Sequence, residues 1–197
     1  STINGKSSKI VIKISTNELI RRYALGDRNF KNIDLIGANL QDAKLQEVNL
    51  TGSNLQGAIL ININLQQACL DRINLSDASL MGSNLNGASL IEANLDRANL
   101  ANASLNEANL VGASLSDGSY LRGASLIGTL LNNARLTGTI FSKANLQGTH
   151  LNGACLKDAI LADADLKGAY YNSSTQFSSS FDPSRAGAIE VLSESHT

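Results

Sequence analysis

The feature that most limits how this chain can fold is a leucine at every fifth residue over most of its length. In ANLANASLNEANL (residues 98–110), leucine occupies Leu100, Leu105 and Leu110. Five residues advance an α-helix by about 500°, so these leucines would spiral around it. In a straight strand, side chains alternate between two faces, so leucines five apart would point to opposite faces in turn. Neither regular element can bury this pattern.

The five-residue period continues along the chain with one interruption. A large apolar residue, here called position i, recurs from Phe30 to Leu115 and again from Leu121 to Leu166, which makes 28 repeats. Position i−2 is mostly alanine, i−1 favours asparagine, and i+1 and i+2 are mostly polar, charged or glycine. A bend once per repeat would direct every i residue towards a common axis. The period therefore predicts an all-β solenoid, in which each repeat is a very short strand and a bend.

The repeat resembles a known family. The segment ANLDRANLANASLNEANL (residues 93–110) follows the pattern A-(D/N)-L-x-x of the pentapeptide repeat family, and the resemblance covers about residues 28–168. It implies a right-handed quadrilateral β-helix with four repeats per coil, hence about seven coils and a rod of about 34 Å. The flanks ELIRRYALGDRNFKNIDL and YYNSSTQFSSSFDPSRAG look like those of cyanobacterial members.

The period divides the chain into three segments: 1–27 before the repeats, 28–168 within them and 169–197 after them. In the first segment, STNELIRRYALG predicts a capping helix that starts at Ser15 or Thr16. Leu19, Ile20 and Tyr23 would lie on the helix face that covers the end of the solenoid. The preceding KIVIKI alternates lysine with apolar residues, which favours an added strand.

The last segment is also expected to contain a helix. Asp182 followed by Pro183 is a typical helix start. Phe177 and Phe181 are expected to plug this end of the solenoid, and the final residues form a flexible tail. We therefore expect short α-helical caps at both ends.

Composition excludes several functional classes. The 197 residues carry a formal net charge of −1, whereas nucleic-acid-binding domains are usually strongly basic. No apolar run reaches the length of a membrane span, and no signal peptide is visible. Cys69 and Cys155 lack metal-ligand spacing and are expected to be free thiols. We expect a cytoplasmic protein that binds neither membranes nor, directly, nucleic acid.

The sequence contains no constellation of catalytic residues. The two histidines are His150, at an outward i−1 position, and His196, in the tail. Cys69 and Cys155 belong to different coils, and there is no nucleophile, phosphate-binding or metal-binding motif. We expect no enzymatic activity, no cofactor and no metal.

One side of the expected solenoid collects outward apolar residues. With four repeats per coil, this candidate protein-interaction face contains Ile59, Ile61, Met81, Tyr120, Ile140 and Ile160. Other sides carry fewer, namely Ile36, Ile127 and a thinner column of Ile91, Val111 and Leu130. A long apolar stripe on a polar rod is typical of a surface for a partner or for self-association. The alternative is that isolated exposed apolar residues are ordinary and that β-branched residues favour strands.

The interruption is a second candidate. Leu115 and Leu121 are six residues apart, so Asp117, Gly118, Ser119 and Tyr120 are expected to form a bulge or small loop. Loops in proteins that resemble this one often carry the partner-specific function.

The resemblance implies two functions. The first is a non-enzymatic protein-interaction scaffold with an unidentified protein partner and a regulatory role. The second is DNA mimicry, by which some members bind DNA gyrase or topoisomerase. A mimic needs dense negative charge, yet residues 30–168 hold 12 acidic and 9 basic residues. Asp occupies i−1 only at Asp34 and Asp165. The scaffold is therefore the favoured hypothesis.

Overall fold

Each five-residue repeat forms a short extended segment followed by a turn. The structure is a computed structural model that describes residues 11–192. At every i+2 position the backbone has a φ between 53° and 71°. The N–H of residue i+3 then donates to the carbonyl of residue i, as from Ala38 to Leu35 at 3.0 Å. A positive φ at the third position is the geometry of a type II turn.

Four such repeats complete one coil. Parallel bridges join i−1 residues that are 20 positions apart, for example Asn39 to Ile59 and Ile59 to Ser79. The N–H of Leu40 donates to the carbonyl of Ile59 at 2.8 Å, and equivalent bonds recur along the rod. Since every turn redirects the chain by the same amount, all i residues point to the axis. The fold is a right-handed β-helical solenoid.

The interruption is absorbed within a single turn. The spacing of the bridges is 21 residues between Asn99 and Tyr120 and returns to 20 between Tyr120 and Ile140. Asp117 and Gly118 both have positive φ, at 58° and 84°. The columns of residues on each side of the rod therefore stay aligned across the insertion.

The core is a narrow column along the axis. Leucines at i and alanines at i−2 are buried, as are Phe30 and Phe141. Several i−2 positions hold buried Ser or Thr, and the hydroxyls of all of them except Ser83 donate to backbone carbonyls. Thr129 Oγ1, for example, lies 2.7 Å from the carbonyl oxygen of Leu105. These bonds satisfy the hydroxyls inside the apolar column.

The N-terminal flank packs on the first coil. Strand β1 (Ile12–Lys13) pairs in parallel with β2 (Ile33–Asp34). Helix α1 (Thr16–Ala24) has Ser15 as its N-cap, whose Oγ accepts from the Glu18 N–H at 3.1 Å. Its Leu19 is fully buried and the Tyr23 hydroxyl donates to the Gln46 carbonyl at 3.0 Å. Ile20, expected on the same face, is instead 40% exposed because it lies about 100° around the helix from Leu19.

The C-terminal flank is built from strands and turns. Strand β3 (Cys155–Leu156) pairs in parallel with β5 (Gln176–Phe177), and β4 (Tyr170–Tyr171) pairs with β6 (Ile189–Glu190). The ring of Phe177 lies 5.6 Å from Tyr171 and 5.3 Å from Phe181, which forms an aromatic cluster at this end.

The prediction of a helix after Asp182 is wrong for the residues that the structure describes. Residues 183–187 form consecutive turns, with the Ala188 N–H donating to the Pro183 carbonyl at 3.0 Å. Gly187 then adopts a φ of 84°, and the chain enters β6. Pairing of β6 with β4 leaves too few residues for a longer helix. No helix within residues 11–192 is long and apolar enough to cross a membrane.

Candidate protein-interaction face

The stacking of coils aligns the outward apolar residues on one side of the rod, which we name face A. Its i−1 column, joined by parallel bridges, is Asn39, Ile59, Ser79, Asn99, Tyr120, Ile140 and Ile160. Its i+1 column is Gln41, Ile61, Met81, Ala101, Arg122, Ser142 and Ala162. The six residues singled out in the sequence therefore lie on one surface. Ile61 and Met81 occupy the i+1 column, and Ile59, Tyr120, Ile140 and Ile160 occupy the i−1 column. The stripe therefore covers both columns on the second coil and passes from the i+1 to the i−1 column further along the rod.

The stripe is partly open to solvent. Ile59, Met81 and Ile160 are 38%, 40% and 48% exposed. Ile61, Tyr120 and Ile140 are half-buried against their neighbours. These exposures leave apolar area on every coil from the second to the last, apart from the fourth, where Ala101 is nearly buried.

Asparagine at i−1 has a specific structural role elsewhere on the rod. Its side-chain Oδ1 accepts a hydrogen bond from the N–H of residue i+1 in the same repeat; for example, the Gln56 N–H donates to Asn54 Oδ1 at 3.1 Å. On the side that precedes face A, Asp34, Asn54, Asn74 and Asn94 all make this bond. We call this bond the Asx cap. It satisfies a backbone donor that would otherwise point outward.

Where serine occupies i−1 on the sides other than face A, a residue from the preceding coil supplies the cap. Asp71 Oδ1 accepts both the Ser89 hydroxyl at 2.5 Å and the Ile91 N–H at 3.1 Å. Asn86, Asp96 and Asn106 act in the same way on later coils. The cap is thus preserved across much of the surface by two different routes.

Most of these caps are absent from face A. Only Asn39 and Asn99 make the bond there, to Gln41 and Ala101. Apolar residues replace asparagine at the other i−1 positions except Ser79. In the part of the chain that the structure describes, five amides of face A have no acceptor, namely those of Ile61, Met81, Arg122, Ser142 and Ala162. A hydrogen bond contributes about 1 kcal/mol, so the stripe omits a stabilising contact that the two sides beginning at Asp34 and Lys44 mostly retain. On the remaining side, the amides of Asp71, Asn132 and Asn152 also lack an acceptor among the described residues.

Face A also contains a depression of about 470 Å³, which we name the Ala101 notch. It is lined by Met81, Ala101, Tyr120, Arg122 and Lys143, with Asn102 and Gly123 at its edge. Ala101 is 8% exposed and forms the floor between the larger Met81 and Arg122 side chains of the adjacent coils. The volume of the notch is sufficient for one large side chain.

Charges flank the face unequally. At the corner that precedes it, Arg97 Nε lies 2.7 Å from Asp77 Oδ1, and Arg97 Nη1 lies 3.8 Å from Asp117 Oδ2. The hydrogen bond from Arg97 lowers the pKa of Asp77 below its ordinary value. Across the face, Arg122 and Lys143 have no ion pair among residues 11–192. Their charge is therefore free to meet a partner.

The four residues of the insertion do not form one exposed loop. Asp117 and Gly118 are exposed at the corner, whereas Ser119 is buried and its Oγ donates to the Leu95 carbonyl at 2.8 Å. Tyr120 continues the i−1 column of face A. The insertion thus contributes one side chain to face A and one carboxylate, Asp117, to its border.

The remaining candidate residues are not brought together. Cys69 and Cys155 are free thiols on different sides of the rod, and the His150 ring lies 5.0 Å from that of Tyr170. Across residues 11–192, no three His, Cys, Asp or Glu side chains are grouped so as to hold a metal ion. Sequence reasoning missed Ala101, Arg122 and Lys143 because it searched face A for apolar residues only. The register that aligned the stripe could have found them.

Comparison with known proteins identifies the repeats. The family model described as "Pentapeptide repeats (8 copies)" matches residues 29–67, 58–96, 78–117 and 119–158. A comparison with curated proteins finds no significant match.

Two solved structures share the fold. The first is HetL, a pentapeptide repeat protein involved in heterocyst differentiation regulation from the cyanobacterium Nostoc sp. strain PCC 7120. It is 27% identical to this chain with a TM-score of 0.54, and the match covers 89% of this chain and 92% of HetL. A trypsin-treated form of QnrB1, a plasmid-mediated fluoroquinolone resistance protein, is 13% identical with a TM-score of 0.58, covering 92% of this chain and 91% of QnrB1. The family model covers more than half of the chain. The chain therefore belongs to the pentapeptide repeat family and is similar to its cyanobacterial members.

Proposed function

We propose that this protein is a non-catalytic protein-interaction scaffold and that its partner binds face A. Pentapeptide repeat proteins are generally structural or interaction scaffolds. The observation that carries the proposal is the replacement of asparagine at i−1 of face A by the large apolar residues Ile59, Tyr120, Ile140 and Ile160. The side that holds Cys69 also has residues other than Asx or serine at four i−1 positions, but the i+1 residues beside those positions are polar, namely Asp71, Asn132, Asn152 and Asn172. A surface that omits stabilising contacts in order to expose apolar side chains is best explained by binding.

The proposal includes the shape and setting of the scaffold. The rod has about seven coils and is about 34 Å long, with α1 as its N-terminal cap. Free thiols at Cys69 and Cys155 support a reducing, cytoplasmic environment. The likeness to HetL supports a regulatory role, since that protein is involved in heterocyst differentiation regulation.

The test compares two triple variants as baits in a host lysate. One carries Ile61→Asp, Met81→Asp and Ile140→Asp on face A. The matched control carries Gln46→Asp, Thr51→Asp and Gln66→Asp, which place three carboxylates at outward positions on other sides. Both variants must first unfold at the same temperature as the native protein. We expect the native protein and the control to retain a partner that the face A variant loses. Equal retention by all three baits would reject face A as the binding surface.

DNA mimicry is the alternative, because the fold is shared with QnrB1. The charge distribution does not favour it, since Arg97 lies between Asp77 and Asp117 and interrupts the acidic corner. A supercoiling assay with purified DNA gyrase separates the two functions. The scaffold proposal expects no change in supercoiling and no protection from a fluoroquinolone. Inhibition or protection at micromolar protein would favour mimicry instead.

A further inference from the structure

We infer that the Ala101 notch binds an acidic and apolar peptide segment of the partner protein. A large apolar side chain fills the notch, and an adjacent carboxylate meets Arg122 and Lys143. This inference rests on the proposed function, because it specifies which partner chemistry face A recognises.

The shape of the notch selects a single apolar side chain. In the i+1 column, Ala101 lies between the much larger Met81 and Arg122, and Tyr120 lines the notch as well. At the edge, Gly123 has a φ of 67°, and a Cβ there would lie 2.5 Å from Asn102 Oδ1. Glycine at this position therefore leaves room for the Asn102 side chain, and no side chain of residue 123 projects at the edge of the notch.

The charges at the notch select a carboxylate. Arg122 and Lys143 line it, and neither has an ion pair among residues 11–192. Asp77 and Asp117 are engaged with Arg97 at the opposite corner. Asp163 occupies the same corner column as Lys143 one coil further on, and within residues 11–192 it forms no ion pair with Lys143. Two cations are too few to hold a nucleic-acid backbone, which binding proteins neutralise at many phosphates. They suit one or two acidic side chains of a peptide.

Backbone donors next to these cations lack acceptors. Because Tyr120 and Ile140 stand where asparagine makes the Asx cap, the amides of Arg122 and Ser142 have no acceptor in the described part of the chain. Both amides face outward, as the capped amides do on other sides. Backbone N–H groups beside a guanidinium are the donors that bind a carboxylate or a peptide carbonyl. The missing caps thus become binding groups.

The experiment selects displayed random dodecapeptides on the full-length protein and measures their affinity for variants. Ala101→Leu fills the notch, and Ala162→Leu is its matched control in the same column. Arg122→Glu reverses the charge, with Arg122→Gln as a milder variant. Arg135→Glu is the matched control, because Arg135 is exposed on another side without an ion pair in the described residues. Every variant must unfold at the native temperature before binding is measured.

We expect selected peptides to place Asp or Glu within two residues of a large apolar residue. Ala101→Leu and Arg122→Glu should weaken them about tenfold or more, as expected for a lost charge-assisted contact, and the two controls should not. The peptides could instead lose affinity for the face A triple-Asp variant but bind Arg122→Glu and Arg122→Gln as tightly as the native protein. That result would overturn the inference of an acidic partner and leave the scaffold proposal intact. If the peptides bound every variant equally, both the inference of an acidic partner and the assignment of binding to face A would be overturned. A third outcome is that no peptide is selected and that sedimentation shows a dimer of the native protein that Ala101→Leu abolishes. That outcome would assign the notch to a second copy of this chain and overturn the inference.

Discussion

At the scale of single residues, stacking of coils overrides local backbone preference. Arg72 and Lys143 adopt φ values of 53° and 60°, a region that disfavours residues other than glycine by about 1–2 kcal/mol. Their N–H groups donate to the carbonyls of Ile91 and Ala162 in the next coil, at 2.8 Å and 2.9 Å. The inter-coil bonds and the buried leucines offset the unfavourable φ. The turn therefore persists at positions where the residue itself gives no turn signal.

Two of the interior serines at i−2, Ser53 and Ser83, should respond oppositely to alanine. Ser53 Oγ donates to the Phe30 carbonyl and accepts the Ile33 N–H, both at 3.1 Å. Ser83 Oγ is equally buried and has no partner in the described chain. We expect Ser53→Ala to lower the free energy of unfolding by about 1–2 kcal/mol, and Ser83→Ala to raise it by about 1 kcal/mol. Urea unfolding measures both, and a loss of stability in Ser83→Ala would contradict this assignment.

At the scale of elements, the solenoid could be predicted from the sequence and its flanks only in part. A five-residue leucine period fits no single helix or strand, so the turning chain was the remaining solution. The helix after Asp182 could not be judged from its start signal, because pairing of β6 with β4 decides the local fold. The cap from Asp71 to Ile91 joins residues 20 apart and has no local signature. Such bonds become visible only once the coil register is known.

The Asx cap should be measurable on face A itself. At Ile160 we expect asparagine to cap the free Ala162 amide, as Asn99 caps Ala101. Serine cannot do so there, because the preceding coil has Ser142, and not Asx, at i+1. Ile160→Asn should therefore be more stable than Ile160→Ser by about 1 kcal/mol. Thermal unfolding of the two variants compares them directly, and equal stability would show that the cap contributes nothing.

Helix α1 should stabilise the first coil mainly through Leu19. This side chain is fully buried, whereas the adjacent Ile20 is 40% exposed. Leu19→Ala should lower the free energy of unfolding by about 2–5 kcal/mol, and Ile20→Ala by less than about 1 kcal/mol. Hydrogen exchange of the first-coil amides locates the effect. If both variants lost the same stability, α1 would not pack through Leu19 as described.

At the scale of the whole molecule, the rod separates folding from binding. Each coil contacts mainly its neighbours, so the interior leucines carry stability while the outward columns are free to vary. One side keeps successive caps at Asp34, Asn54, Asn74 and Asn94, and face A replaces most of its caps with apolar residues. The same register therefore presents a surface optimised for stability beside one that we assign to a partner.

The central claim is that face A exchanges stability for binding. The most direct test measures partner retention by the double variant Ile59→Asn and Ile160→Asn, which restores asparagine at two i−1 positions. The account predicts a rod that folds at least as stably as the corresponding double serine variant and yet loses the partner that the native protein retains. A double asparagine variant that keeps the partner at undiminished affinity would contradict the account.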